Sequence, residues 1–263
     1  MTDQPVLYTH ADGVATITLN RPDAMNAMTE GLMGGITAAI DAVKENQEVR
    51  VVVLTGSGRG FCAGADLSQA AASPPDASTG DQSEGTFNTA MRAIADCPVP
   101  TIARVNGAAA GGGFGLALAC DITIAAHSAF FVATFGPRLG IVPDMGATWS
   151  IPVRVGRARA LGITLLGERL PAAEAEAWGL IWKAVPDEAL DDEVARIATV
   201  LKHSSPATVT RIRQSIDAAL QNDFSEQLNL EMRHQAVLIP RNMQAGAQAF
   251  MEKRDPTFGG ERD

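Results

Sequence analysis

The stretch Val49-Arg50-Val51-Val52-Val53-Leu54-Thr55-Gly56-Ser57-Gly58-Arg59-Gly60-Phe61-Cys62-Ala63-Gly64-Ala65-Asp66 passes from a β-branched run directly into a glycine-rich turn. A run like 49–54, mostly β-branched, is expected of a strand buried on both faces of a parallel sheet. A second predicted strand, 101–105, ends in a similar way, in Asn106-Gly107-Ala108-Ala109-Ala110-Gly111-Gly112-Gly113-Phe114-Gly115. That turn opens an apolar helix through Leu116-Ala117-Leu118-Ala119, which a strand over 121–125 follows. Dense glycine lets a backbone approach a ligand, or another backbone, without an intervening Cβ. A glycine run that opens a helix also offers unpaired N–H groups at the positive end of the helix dipole. Two such loops facing each other can donate two N–H bonds to one oxygen, forming an oxyanion hole. For each loop alone, tight strand–helix packing is an equal reading.

Outward from these loops the pattern is α/β. Residues 6–10 and 14–19 flank Ala11-Asp12-Gly13 and read as a hairpin. Thr29 is an N-cap, with Leu32, Met33, Ile36, Ile40 and Val43 at helical spacing behind it. Residues 73–83, with Pro74-Pro75 and Gly80, read as a flexible stretch, and a helix is expected over about 84–96. Later come a helix over 157–166, a short helix after Pro171, Gly179 as its C-cap, and a strand over 180–185. Beyond Pro186 only helices are expected, at 190–202, 207–222 and onward to 253. The division is therefore an α/β body over 1–186 and a helical region over 187–263.

The 263 residues carry a net charge of −9, and no basic stripe is visible, which excludes a nucleic-acid surface. Cys62, Cys97 and Cys120 have neither metal-ligand spacing nor an even count, and read as core residues of a reducing compartment. No signal-like or membrane-spanning segment is seen, so no membrane partner is expected and the cytoplasm is the default location. Gly-Lys-Ser/Thr and a helix-opening Gly-x-Gly-x-x-Gly are absent, and Thr55 breaks the frame of a nucleophile elbow at Ser57. His10, His127, His203 and His234 join no recognisable triad, while Asp66 and Asp121 read as structural. In Leu139-Gly140-Ile141-Val142-Pro143-Asp144-Met145-Gly146, Asp144 is either a helix N-cap or a carboxylate desolvated enough to act as a base.

Together these residues resemble the enoyl-CoA hydratase/isomerase (crotonase) superfamily. The resemblance runs through Leu19-Asn20-Arg21-Pro22 with Asn26-Ala27, and Val52 to Gly56 onward to Phe61-Cys62-Ala63-Gly64-Ala65-Asp66-Leu67. It continues at Val105-Asn106-Gly107 with the three glycines, Ala117-Leu118-Ala119-Cys120-Asp121-Ile122 and Val155-Gly156-Arg157-Ala158-Arg159-Ala160. Trp178-Gly179-Leu180 and the ending Phe250-Met251-Glu252-Lys253-Arg254 complete it. It implies an α/β, crotonase-like ββα spiral with a C-terminal helical trimerisation region, often assembled as a dimer of trimers. It also implies an acyl-CoA thioester as substrate, with coenzyme A entering as part of it and no separate cofactor or metal. The N–H groups of Ala65 and Gly112 would be the oxyanion donors. Arg21, Ala63, Asp66 and Leu67 would lie along the coenzyme, with Arg59 a further charge partner for its phosphates. Phe250 and Lys253 would reach the coenzyme from a neighbouring subunit. Residues 73–83 would help set acyl specificity.

This chain departs from the hydratases of that family, which use two glutamates. The first would fall at Gly115 and the second near Phe135 or Gly136, and neither position holds an acid. Asp144 falls where Δ3,Δ2-enoyl-CoA isomerases and ring-epoxide phenylacetyl-CoA isomerases carry a single acid, although residues 131–144 run one residue longer than expected. The aryl-CoA dehalogenases are a poor match, since 84–100 contain no His and 130–143 no Trp. The resemblance therefore implies a double-bond isomerase with Asp144 as proton shuttle. Hydration or another crotonase-type reaction is the alternative, and a thioester-binding protein without catalysis is the third.

Overall fold

The hairpin and first helix follow from their local chemistry. β1 (Val6–Ala11) and β2 (Val14–Leu19) pair antiparallel around Asp12 and Gly13, both left-handed at φ 48° and 78°, which matches the twist of the two strands. α1 (Glu30–Glu45) begins where Thr29 Oγ1 accepts from the Leu32 N–H at 3.2 Å. A computed structural model describes residues 4–68 and 85–262; the stretch 73–83 read as flexible lies outside the described residues.

Each of three central strands then hands the chain to a short strand of a second sheet. β3 (Val51–Gly56) leads to β4 (Gly60–Cys62). After α2 (Thr86–Ala95), β5 (Thr101–Val105) leads to β6 (Ala108–Ala110). After α3 (Gly112–Leu118), β7 (Ile122–Ala126) leads to β8 (Phe130–Val132). These are the ββα turns of a spiral. α4 (Ala147–Leu166), β9 (Leu170–Pro171), α5 (Ala172–Ala177) and β10 (Lys183–Val185) close the body. The large sheet has the order β1-β2-β3-β5-β7-β10, parallel except for the hairpin, and the small sheet the order β4-β6-β8-β9.

The small sheet was not foreseen. Both glycine-rich turns, read as loops, contain a three-residue strand, and these strands pair in parallel at Gly60↔Ala108 and Cys62↔Ala109. Other boundaries also move. The strand expected at 49–54 runs Val51–Gly56, and only Lys183–Val185 of 180–185 is strand. The helix expected over 157–166 is present, following a break at Gly156 (φ 76°), and an unforeseen helical stretch from Ala147 leads into it.

Apolar residues from both sheets and from α1 to α3 share one core, which includes Leu32, Ile36, Ile40, Leu54, Ile102 and Phe61. Phe114 and Phe131 form a tilted ring pair, centroids 5.2 Å apart, across α3 and β8. Among the helices after residue 186, α6 (Leu190–Leu201) packs on β5 and β7 through Leu190, Val194, Ile197 and Ala198. α7 (Pro206–Ala218) and α8 (Phe224–Met251) pack chiefly on each other. Arg213 of α7 ties this pair to the body, donating to Asp121 Oδ1 at 2.6 Å and to the Val99 carbonyl at 2.9 Å. Ile212, Ile216, Leu228, Met232 and Met243 of the pair remain exposed. No helix among the described residues is long and apolar enough to cross a membrane.

Candidate active site

Two asparagines fix the first loop. Asn26, fully buried, donates through Nδ2 to the carbonyls of Ser57 and Gly60, both at 2.9 Å, and accepts from the Arg21 N–H at 2.9 Å. Asn106 donates to the Gly58 carbonyl at 2.9 Å. Met28 then forms a parallel bridge with Ala65: its N–H donates to Gly64 at 2.7 Å, and its carbonyl accepts from Asp66 at 3.0 Å. In such a bridge the flanking residues make the bonds, so Ala65's own N–H faces away from Met28.

The second loop meets the first at this point. Gly112 is the first residue of α3, where an N–H has no acceptor within the helix. The direction in which Gly64 would carry a Cβ ends 3.3 Å from the Gly112 nitrogen, so the two loops touch beside both candidate donors. Neither the Ala65 nor the Gly112 N–H donates to another backbone carbonyl among the described residues. The side chain of Met28 lies against the Cα of Gly112, so one residue ties down both candidate donors.

Asp144 enters from the turn before α4. Its carbonyl accepts from the Ala147 N–H at 2.9 Å, and Gly146 is the N-cap residue of a helix that no side chain caps, so the Asp144 carboxylate is not the cap. The residue is open to solvent yet crowded by surrounding protein, and this partial desolvation raises its carboxyl above the ordinary carboxylate pKa. The following residue, Met145, is buried and lays its side chain beside Gly112, linking the acid's turn to the donors. The extra residue expected between 131 and 144 coincides with a single π-helical turn, Phe135–Leu139, which takes up more chain than an α-turn.

The other candidates divide. Arg21 and Asp66 pair at 2.9 Å, and Ser68 Oγ donates to Asp66 at 2.6 Å, so both charges shape the rim of the first loop. The Ser68 and Arg21 hydrogen bonds hold the Asp66 carboxyl below its usual value. Ala63 and Leu67 are exposed on that rim, and Arg59 is exposed with no ion pair among the described residues. Phe250 and Lys253, on and just beyond an α8 that packs chiefly on α7, are exposed. Gly115 is buried under Met145, and Phe135 is a core residue. Asp121 is structural, as expected, accepting from the Thr101 N–H and Oγ1 at 2.6 and 2.9 Å. Burial pushes the Cys62 and Cys97 thiols up to about 12 and about 11.

Some features were not legible in the sequence. The roles of Met28 and Met145 as ties carried no motif signal. Ser215 Oγ and His234 Nδ1 lie 2.9 Å apart across α7 and α8, a Ser–His contact that sequence order does not reveal. It borders a groove of about 530 Å³ between the two helices. Among the described residues, no group of acidic, Cys or His side chains could hold a metal.

Residues 9–261 match the model of the enoyl-CoA hydratase/isomerase family. The chain belongs to that family. A Rhodobacter capsulatus protein named a probable enoyl-CoA hydratase is 42% identical over 261 residues, 99% of this chain and 100% of that one. The 1,2-epoxyphenylacetyl-CoA isomerase of Escherichia coli is 41% identical, over 94% of this chain and 95% of its own. A solved enoyl-CoA hydratase from Bacillus anthracis superposes with a TM-score of 0.89 at 33% identity, covering 98% of this chain and 100% of that one. The spiral with its C-terminal helices is thus the fold of this family.

Proposed function

We propose that this member of the family is an acyl-CoA double-bond isomerase that works with a single acid. Bound as a 3-enoyl thioester, the substrate would place its carbonyl oxygen at the N–H groups of Ala65 and Gly112. The Asp144 carboxylate would remove a proton from carbon 2 and return one at carbon 4, moving the double bond between carbons 2 and 3. The two N–H groups would hold the enolate oxygen between these transfers, an effect worth about 3–4 kcal/mol per donor in related chemistry. A carboxyl whose pKa is raised is suited to both halves of the shuttle.

The observation that carries this reading is the pairing of Asp144 with a closed position 115. A Cβ on Gly115 would collide with the Met145 carbonyl oxygen, so the first hydratase acid has no room on this backbone. The Rhodobacter relative's name supports hydration as the second reading. The Escherichia coli relative's name supports an aromatic epoxide as an alternative substrate for the single acid. The exposed apolar run on α7 and α8 fits a homotrimer or dimer of trimers in which Phe250 and Lys253 reach a neighbour's coenzyme.

Incubation with a 3-enoyl-CoA and, separately, a 2-enoyl-CoA in deuterated water, followed by mass spectrometry, tests the proposal. A shifted double bond carrying deuterium at carbon 2 or 4, with no added water, is the expected result. A water adduct from the 2-enoyl-CoA would establish hydration instead.

A further inference from the structure

Two methionine–glycine contacts meet on α3, and they differ in kind. A Cβ on Gly112 would meet Met28 Cε and lie 3.1 Å from Met145 Cγ, both in side chains that can rotate aside. A Cβ on Gly115 would collide with the main-chain oxygen of Met145 and lie 3.1 Å from its carbonyl carbon. The Met145 peptide therefore rests directly on the bare Cα of Gly115. Met145 is 5% exposed and left-handed at φ 52°, followed by Gly146 at φ 72°. A methionine in that region costs on the order of 1 kcal/mol and persists only where its surroundings fix it. The acid is thus attached to a buried, strained residue that touches the oxyanion-donor residue Gly112 with its side chain and Gly115 with its backbone.

We infer that Met145 and Gly115 form a positioning pair: the seat of the Met145 peptide on Gly115 sets where the Asp144 carboxylate stands relative to the Ala65 and Gly112 N–H groups. The same seat makes a side chain at 115 and this Asp144 turn mutually exclusive, so the site is committed to one acid. The inference rests on the single-acid reading of Asp144 given above.

Gly115→Ala tests it, with Asp144→Asn run in parallel and 3-hexenoyl-CoA as substrate. The added methyl must push the Met145 peptide, and with it Asp144, away from α3. A misplacement of about 1 Å is expected to lower kcat about 10²-fold. KM, and the affinity for hexanoyl-CoA, should change less than about three-fold because the N–H donors remain. The acid limb of kcat should move to lower pH as the displaced carboxyl gains water. A glycine needed only for folding would lower yield or Tm and leave kcat per folded subunit and the pH limb unmoved; that result overturns the inference. Should Gly115→Ala fail to fold, Met145→Gly carries the test alone. Glycine accepts the backbone angle but removes the buried side chain, Cβ included, that holds the Met145 peptide on Gly115, and a kcat within about two-fold of wild type would overturn the pair. If Asp144→Asn keeps the rate, the single-acid reading fails and the inference with it. If Asp144→Asn loses the rate while the pair variants keep it, only the positioning role fails.

Discussion

The junction of the two glycine-rich turns and the α7–α8 pair are built on opposite terms. At the junction, backbone packs on backbone: a Cβ on Gly113 would collide with the Cys62 carbonyl oxygen and lie 2.8 Å from the Cys62 Cβ. Polar side chains such as Asn26 are there fully buried and hydrogen-bonded. On α7 and α8 large apolar side chains face outward, with Ile216 65% and Met232 69% exposed, and Arg213 helps anchor the pair to the body. Position is fixed where no side chain intervenes, which is what oxyanion donors need. The outer helices are held by a few long side chains and leave apolar surface uncovered.

If the regions divide in this way, chemistry and stability should separate under mutation, and the largest effect belongs to chemistry. Asp144→Asn should lower isomerase kcat by about 10³-fold, the scale of a lost general base, with little change in hexanoyl-CoA affinity. Steady-state kinetics and isothermal titration on the same preparation check it. An unchanged rate would remove the acid from the mechanism.

The glycine turns and the Asp144 turn were legible because glycine density, Pro143 and buried β-branched runs are local signals. β4, β6 and β8 were not, since three residues carry no periodicity and their partners lie far along the chain, as at Gly60↔Ala108 and Ala109↔Phe131. The ties made by Met28 and Met145 were hidden for a related reason: a methionine in a loop signals nothing until the surface it touches is known. Asp144 was read as either a cap or a base. The structure makes Gly146 the N-cap residue and partly desolvates the carboxyl, so the cap reading falls away and the base reading is the one proposed.

The next effect in size belongs to the junction. Gly113→Ala forces a methyl against the Cys62 carbonyl and should cost about 3 kcal/mol, read as a shift in the urea midpoint. Arg213→Ala should cost about 2 kcal/mol by leaving the Asp121, Cys97 and Val99 oxygens short of a donor. The two differ in their consequences. Gly113→Ala should also impair turnover by folded protein, whereas Arg213→Ala should leave kcat per folded subunit intact. Equal losses of turnover would mean that the helical pair is coupled to the site through its contacts with the body.

The smallest effect concerns the cost that the site places on its own acid. Because desolvation raises the Asp144 carboxyl in the folded chain, the folded state holds its proton to higher pH than the unfolded state does. Stability therefore falls as pH rises from the ordinary carboxylate range through the raised folded value, and is level above it. Asp144→Asn removes this titration, so the variant should be more stable than wild type at neutral pH, with the gap closing on acidification below the unfolded pKa. The carboxyl is solvent-exposed, which screens the penalty, so the difference in Tm should be only roughly 1 °C. Calorimetry of both proteins across that pH range measures it. A variant less stable than wild type at neutral pH would mean that the carboxylate is favoured by its surroundings, which would remove the reason for treating it as a tuned base.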